Sequence, residues 1–159
     1  MSDSTALLGH FDRRLIDSLY VEAMVLADEA RSFFDGQGEA QRSALGEMDR
    51  VTFACESLKV TTRLMHVIAW LLAQRAIFNG ELAESVRGVE RFQLGEAAQT
   101  AASVVQNFSP DMAALILGSE ELYQRVARLE RQLIKRMRSR LPMPSSPARA
   151  LLDRLERAF

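Results

Sequence analysis

The chain has 159 residues, of which 48% are hydrophobic and 26% charged, with 8 Gly, 4 Pro and 1 Cys. This composition suits one folded domain and excludes wholesale disorder, collagen-like material, an internal disulfide framework and a multi-cysteine zinc site. The net charge of −1 hides a split: residues 1–118 carry 10 basic and 16 acidic side chains, residues 119–159 carry 10 basic and 5 acidic.

Residues 1–9 read as a short, loosely ordered lead without a secretory apolar core, which points to the cytoplasm. From about His10 to Asp35 the pattern is helical. Leu15, Ile16, Leu19, Ala23, Leu26, Ala27, Ala30, Phe33 and Phe34 fall on one arc. Tyr20, Val21, Met24 and Val25 form a second apolar patch, which a helix with a single neighbour would not need; we assign it to a dimer or partner surface. Gly36 and Gly38 end the segment.

The next helix, starting between Ala40 and Glu47 and ending at Phe78, is the strongest element. Val51, Cys55, Leu58, Thr62, Met65 and Leu72 recur in steps of three, four and seven, the period of a bundle seam. This spacing predicts that they hold the bundle together, with Cys55 as an inert core thiol and Leu72→Asp burying an unpaired charge. Trp70 lies off that seam and is assigned to the dimer or partner surface. Arg63, His66 and Arg75 interrupt the apolar run, so it is not a membrane span.

Residues 81–118 suggest short helical pieces at 81–92 and 96–105, and another from Pro110 that Gly118 stops. Ser119 then caps a last long helix with Leu122, Val126, Leu129, Leu133 and Met137 on its core side. Arg128, Arg131, Lys135 and Arg138 make a basic stripe on its other side. The stripe has three readings: a solvated face complementing the acidic helices, a dock for an acidic protein, or a nucleic-acid contact. The last is disfavoured by the acidic N-terminal part and by the absence of a recognisable docking motif. Pro142, Pro144 and Pro147 with two serines form a linker to an amphipathic tail carrying Leu151, Leu152, Leu155 and Phe159, which are docking candidates beside the stripe. The fold class is therefore all-α: a three-helix bundle over 1–141, with a long central helix and short extra pieces before the last helix, then a linker and tail over 142–159.

Catalytic chemistry finds no foothold. No Glu-x-x-His pair, Gly-rich phosphate loop or Walker lysine occurs, and adjacent carboxylates such as Glu120-Glu121 point apart. His66 reads as a partly buried histidine at a bundle or dimer seam. The expectation is no catalytic, cofactor or metal residue.

The run Thr61-Thr62-Arg63-Leu64-Met65, followed by Trp70-Leu71-Leu72 and Gln74-Arg75-Ala76, resembles the alphaproteobacterial RcdA family, regulators of CtrA degradation. Ser119–Val126 resembles that family's last long helix. The resemblance implies a homodimeric three-helix bundle acting as a non-enzymatic adaptor. Such a protein helps the protease ClpXP receive cell-cycle regulators such as CtrA alongside other adaptors, at a cell pole. Expected partners are thus protease adaptors and cargo, and the residues themselves disfavour nucleic acid and give no membrane span. The alternative is a dimeric scaffold, or a small regulator binding nucleic acid through the basic helix.

Overall fold

The structure is a computed structural model that describes residues 2–140 and, beyond them, Leu155. Helices α1 (Ser2–Asp35), α2 (Gln37–Ala44), α3 (Glu47–Phe78), α4 (Ala102–Val105) and α5 (Pro110–Arg140) follow one another, with 3-10 turns at Glu84–Gly88 and Glu90–Phe92 before α4. No strand occurs among the described residues. Of the tail candidates, Leu151, Leu152 and Phe159 lie outside the described residues, and Leu155 is exposed.

The three long helices make the bundle. Arg13 donates to Asn79 at 2.8 Å and Arg75 pairs with Asp17 at 3.3 Å, so α1 runs antiparallel to α3. Arg125 meets Glu22 at 2.6 Å and Arg136 meets Asp12 at 2.9 Å, so α1 is also antiparallel to α5. It follows that α3 and α5 are parallel. The connection over 79–109 must therefore return along the length of the bundle, which explains why it is long and mostly not helical.

The apolar arcs expected for the first and last helices are buried. Ile16, Leu19, Ala23 and Ala30 of α1 pack with Met112, Leu115, Ile116, Leu122, Val126, Leu129 and Leu133 of α5, while Leu15, Leu26, Phe33 and Phe34 close the edges. At one end Phe34, Phe53 and Phe108 stack edge to face at ring distances of 6.4 and 6.0 Å.

Several boundaries differ from expectation. The lead over 2–9 is helical and continues α1, adding the exposed Leu7 and Leu8 to its first turns. Residues 81–92 form 3-10 turns, and 94–101 is extended before the single turn of α4. Gly118 does not stop a helix and Ser119 does not cap one, because α5 runs unbroken through both. The cap lies one element earlier: the Met112 amide donates to the Ser109 hydroxyl at 3.3 Å, Pro110 takes the first helical position and Asp111 the first turn. Ser119 instead donates to the Ile116 carbonyl at 2.9 Å inside the helix and is fully buried. Packing of α5 on Leu26 next to Gly118 outweighs the helix penalty of glycine, about 1 kcal/mol.

Candidate interaction surfaces

The two faces of α3 are reversed relative to expectation. The stripe assigned to the bundle seam points outward: Val51, Leu58, Met65 and Leu72 are 57, 67, 63 and 46% exposed, Cys55 is exposed and Thr62 half-buried. The buried seam is Phe53, Glu56, Val60, Arg63, Val67, Trp70 and Gln74, again in steps of three and four, with Leu64 and Leu71 beside it. It lies one or two residues after the apolar stripe at every step, which puts it roughly 150–160° around the helix. Three of its seven positions are polar, so hydropathy conceals it. Trp70, expected on a partner surface, is a core residue at 3% exposure. Its large ring fills the space between helices that a smaller side chain would leave void.

The polar seam residues fasten the returning connection. The Arg63 guanidinium is 2% exposed. It donates from Nε and Nη2 to the Ala98 carbonyl (3.1 and 2.7 Å), from Nη2 to the Thr100 hydroxyl (2.8 Å) and to Glu120 (3.1 Å), and from Nη1 to the Ser119 hydroxyl (3.2 Å). Thr100 in turn donates its hydroxyl to Glu56 and its amide to Glu120, and Lys59 reaches the other Glu56 oxygen at 2.6 Å. Burial pushes the Arg63 guanidinium below its ordinary range, and Glu120 and Glu56 oppose that. A buried charge survives here because it is both paired and hydrogen-bonded. Farther along, the Leu94 amide donates to Glu130 at 2.7 Å and the Tyr123 hydroxyl to the Gly95 carbonyl at 2.7 Å. The extended strap over 94–101 is thus tied to both α3 and α5. Burial raises the Tyr123 phenol above its usual range, against a bond to the backbone of Ala97.

His66 is half-buried against this strap. A Cβ at Gly95 would lie 2.7 Å from two atoms of the imidazole ring, so any larger residue there forces the ring to move. The buried His66 Nδ1 meets no hydrogen-bond partner among the described residues. The ring packs against the strap at Gly95.

The outer faces of α1 and α5 carry the remaining candidates. Val21, Met24 and Val25 are 61, 44 and 52% exposed. Tyr20 is half-buried beneath the Arg75 guanidinium, 4.6 Å from the ring centre. The antiparallel register set by Arg13–Asn79 and Asp17–Arg75 puts Met24 within about a turn of Leu72, so the apolar residues of α1 and α3 face solvent at similar heights. On α5 the basic side chains divide in two. Arg125, Arg136 and Arg140 pair with Glu22, Asp12 and Glu84. Arg128, Arg131, Lys135 and Arg138 are exposed and form no ion pair among the described residues. The flanking arginines complement the acidic helices, and the stripe itself stays free.

Among the described residues no cluster of three or more His, Cys, Asp or Glu side chains could hold a metal ion, and no helix is long and apolar enough to cross a membrane. These features define an all-α bundle whose buried polar residues clamp its connection and whose outer faces carry an apolar stripe on α3 and a basic stripe on α5. The chain belongs to the family described as "Protein of unknown function (DUF1465)", whose model matches residues 9–159. It is an RcdA-like protein: the crystal structure of RcdA from Caulobacter crescentus CB15 is similar at 32% identity with a TM-score of 0.61, over 75% of this chain and 90% of that one. No curated protein matches the chain.

Proposed function

We propose that the protein is a non-enzymatic adaptor of ClpXP-dependent proteolysis that helps deliver cell-cycle regulators such as CtrA. The observation that carries this reading is the 32% identity with RcdA over 90% of that chain, joined to a matching fold. An adaptor raises the local concentration of cargo at the protease and needs surfaces rather than catalytic groups. The exposed basic stripe suits an acidic protein partner. The apolar stripe Val51, Leu58, Met65 and Leu72, with Val21, Met24 and Val25, suits a second copy of the chain. Large apolar side chains exposed in such number on two packed helices suit a protein contact. The protein works in the cytoplasm, where the protease and its substrates meet, and gathers at a cell pole. Residues 142–159 act as a second, tethered docking segment.

Three measurements test the reading. Sedimentation equilibrium should give a dimer, and Leu72→Asp should give a folded monomer. Purified protein should bind protease or cargo components directly, and charge reversal at Arg128 and Arg131 should weaken that binding. The free basic stripe also gives a second reading some footing, namely contact with nucleic acid. Micromolar binding to random duplex DNA with a steep salt dependence would favour that alternative.

A further inference from the structure

A cavity of about 260 Å³ lies where the first turns of α1, the end of α3, the 3-10 turn at Glu84–Gly88 and the end of α5 meet. Its lining includes Asp12, Phe78, Glu84, Arg87, Arg136 and Arg140. Three guanidinium groups therefore share one small space with two carboxylates. Arg136 uses both oxygens of Asp12, at 2.9 and 3.1 Å. Arg87 and Arg140 both donate to one oxygen of Glu84, at 3.1 and 3.0 Å. Arg87 is 7% exposed, gives Nε to Gln74 at 2.7 Å and lays its guanidinium 5.3 Å from the Phe78 ring centre. Its Nη2 is buried and meets no acceptor among the described residues.

Arginine forks match carboxylate and phosphate oxygens in geometry. The lining thus sets three guanidinium groups against two carboxylates, one positive charge in excess. We propose that this cavity is a receptor for a small oxyanion, a phosphate or carboxylate group held by Arg87, Arg136 and Arg140. The volume admits inorganic phosphate or a short dicarboxylate. The helix ends of α3 and α5 bring partial negative charge nearby, so the affinity is weak, on the order of 1 mM. The site is independent of the basic stripe and of the adaptor reading. If both hold, ligand occupancy locks α1, α3 and α5 at one end of the bundle.

The test is calorimetric titration of the full chain with inorganic phosphate and, separately, with succinate, at constant ionic strength. Saturable binding of at least one ligand is expected, and comparison of the two distinguishes a phosphate source from a carboxylate source. Arg87→Gln is the obvious variant, but its burial makes it a folding risk. Arg140 is half-exposed, so Arg140→Gln should fold and lose roughly tenfold in affinity, as for one charged hydrogen bond. Glu84→Gln, which removes the competing carboxylate, should bind several-fold more tightly. Arg128→Gln on the outer stripe should bind as the parent does. Absence of saturable binding by either ligand overturns the proposal, as does an affinity unchanged by both Arg140→Gln and Glu84→Gln.

Discussion

Replacing Arg63 by Met tests whether the strap is held as described. The substitution keeps an unbranched apolar stem but removes the five hydrogen bonds that Arg63 makes to Ala98, Thr100, Ser119 and Glu120. It leaves two carboxylates without their shared cation. Removing one partner of a buried pair costs about 3–5 kcal/mol. Two facts place this site at the lower end: Glu56 keeps Lys59 at 2.6 Å, and the Glu120 side chain is 22% exposed and can recruit water. The expected loss is therefore about 3 kcal/mol, or roughly 6–12 °C in melting temperature for a domain of this size. Urea unfolding followed by circular dichroism reads the stability. Hydrogen exchange at the Thr100 amide reads the strap itself, which should lose protection while the amides of α5 around Leu129 keep theirs. A loss below about 1 kcal/mol with Thr100 still protected would refute the clamp.

Other consequences follow from particular contacts. Gly95→Ala should cost about 1–3 kcal/mol through overpacking on His66, and His66→Ala should relieve most of it in a double-mutant cycle read by thermal unfolding. Trp70→Ala should cost about 3–5 kcal/mol, as expected for a core aromatic at 3% exposure. Leu72→Asp, at a position 46% exposed, should leave the melting temperature of the monomer within a few degrees while abolishing self-association in sedimentation. Arg128→Glu with Arg131→Glu should change stability by no more than about 0.5 kcal/mol yet weaken partner binding, more strongly at low salt.

Much of the architecture is legible in the residues themselves. The arcs of α1 and α5 are purely apolar, so period and burial agree: Ile16, Leu19 and Ala23 are inside, as are Leu122, Val126 and Leu129. The face of α3 misleads for a physical reason. Its buried seam spends Glu56, Arg63 and Gln74 on holding the connection, while its outer stripe keeps Val51, Leu58, Met65 and Leu72. A hydropathy reading ranks the outer stripe first, because it cannot see that buried charges are satisfied by partners 35 to 57 residues away. The one usable signal was the coincidence of Glu56, Arg63 and Gln74 with a second three-four register containing Phe53, Val60, Val67 and Trp70.

The connection is illegible for a related reason. Segments 94–101 and Glu84–Gly88 have no periodic pattern of their own and are shaped by ties to α3 and α5: Leu94 to Glu130, Gly95 to Tyr123, Thr100 to Glu120 and Arg87 to Gln74. Sequence position alone does not reveal that α3 and α5 are parallel, and that geometry is what requires the return. On α5, charge spacing identifies the basic residues, but which are free is a tertiary fact. Arg125, Arg136 and Arg140 find acids on α1 and the 3-10 turn, and the four between and beside them do not.

On the proposed function, this bundle promotes proteolysis through its surfaces and without chemistry of its own. The direct test is the initial rate of CtrA degradation by purified ClpXP, with the companion adaptors present and cargo well below saturation, as the full-length protein is titrated. An adaptor gives a rate that rises and then saturates with added protein and falls back when Arg128 and Arg131 are reversed in charge. A rate that does not respond to the protein at any concentration would contradict it.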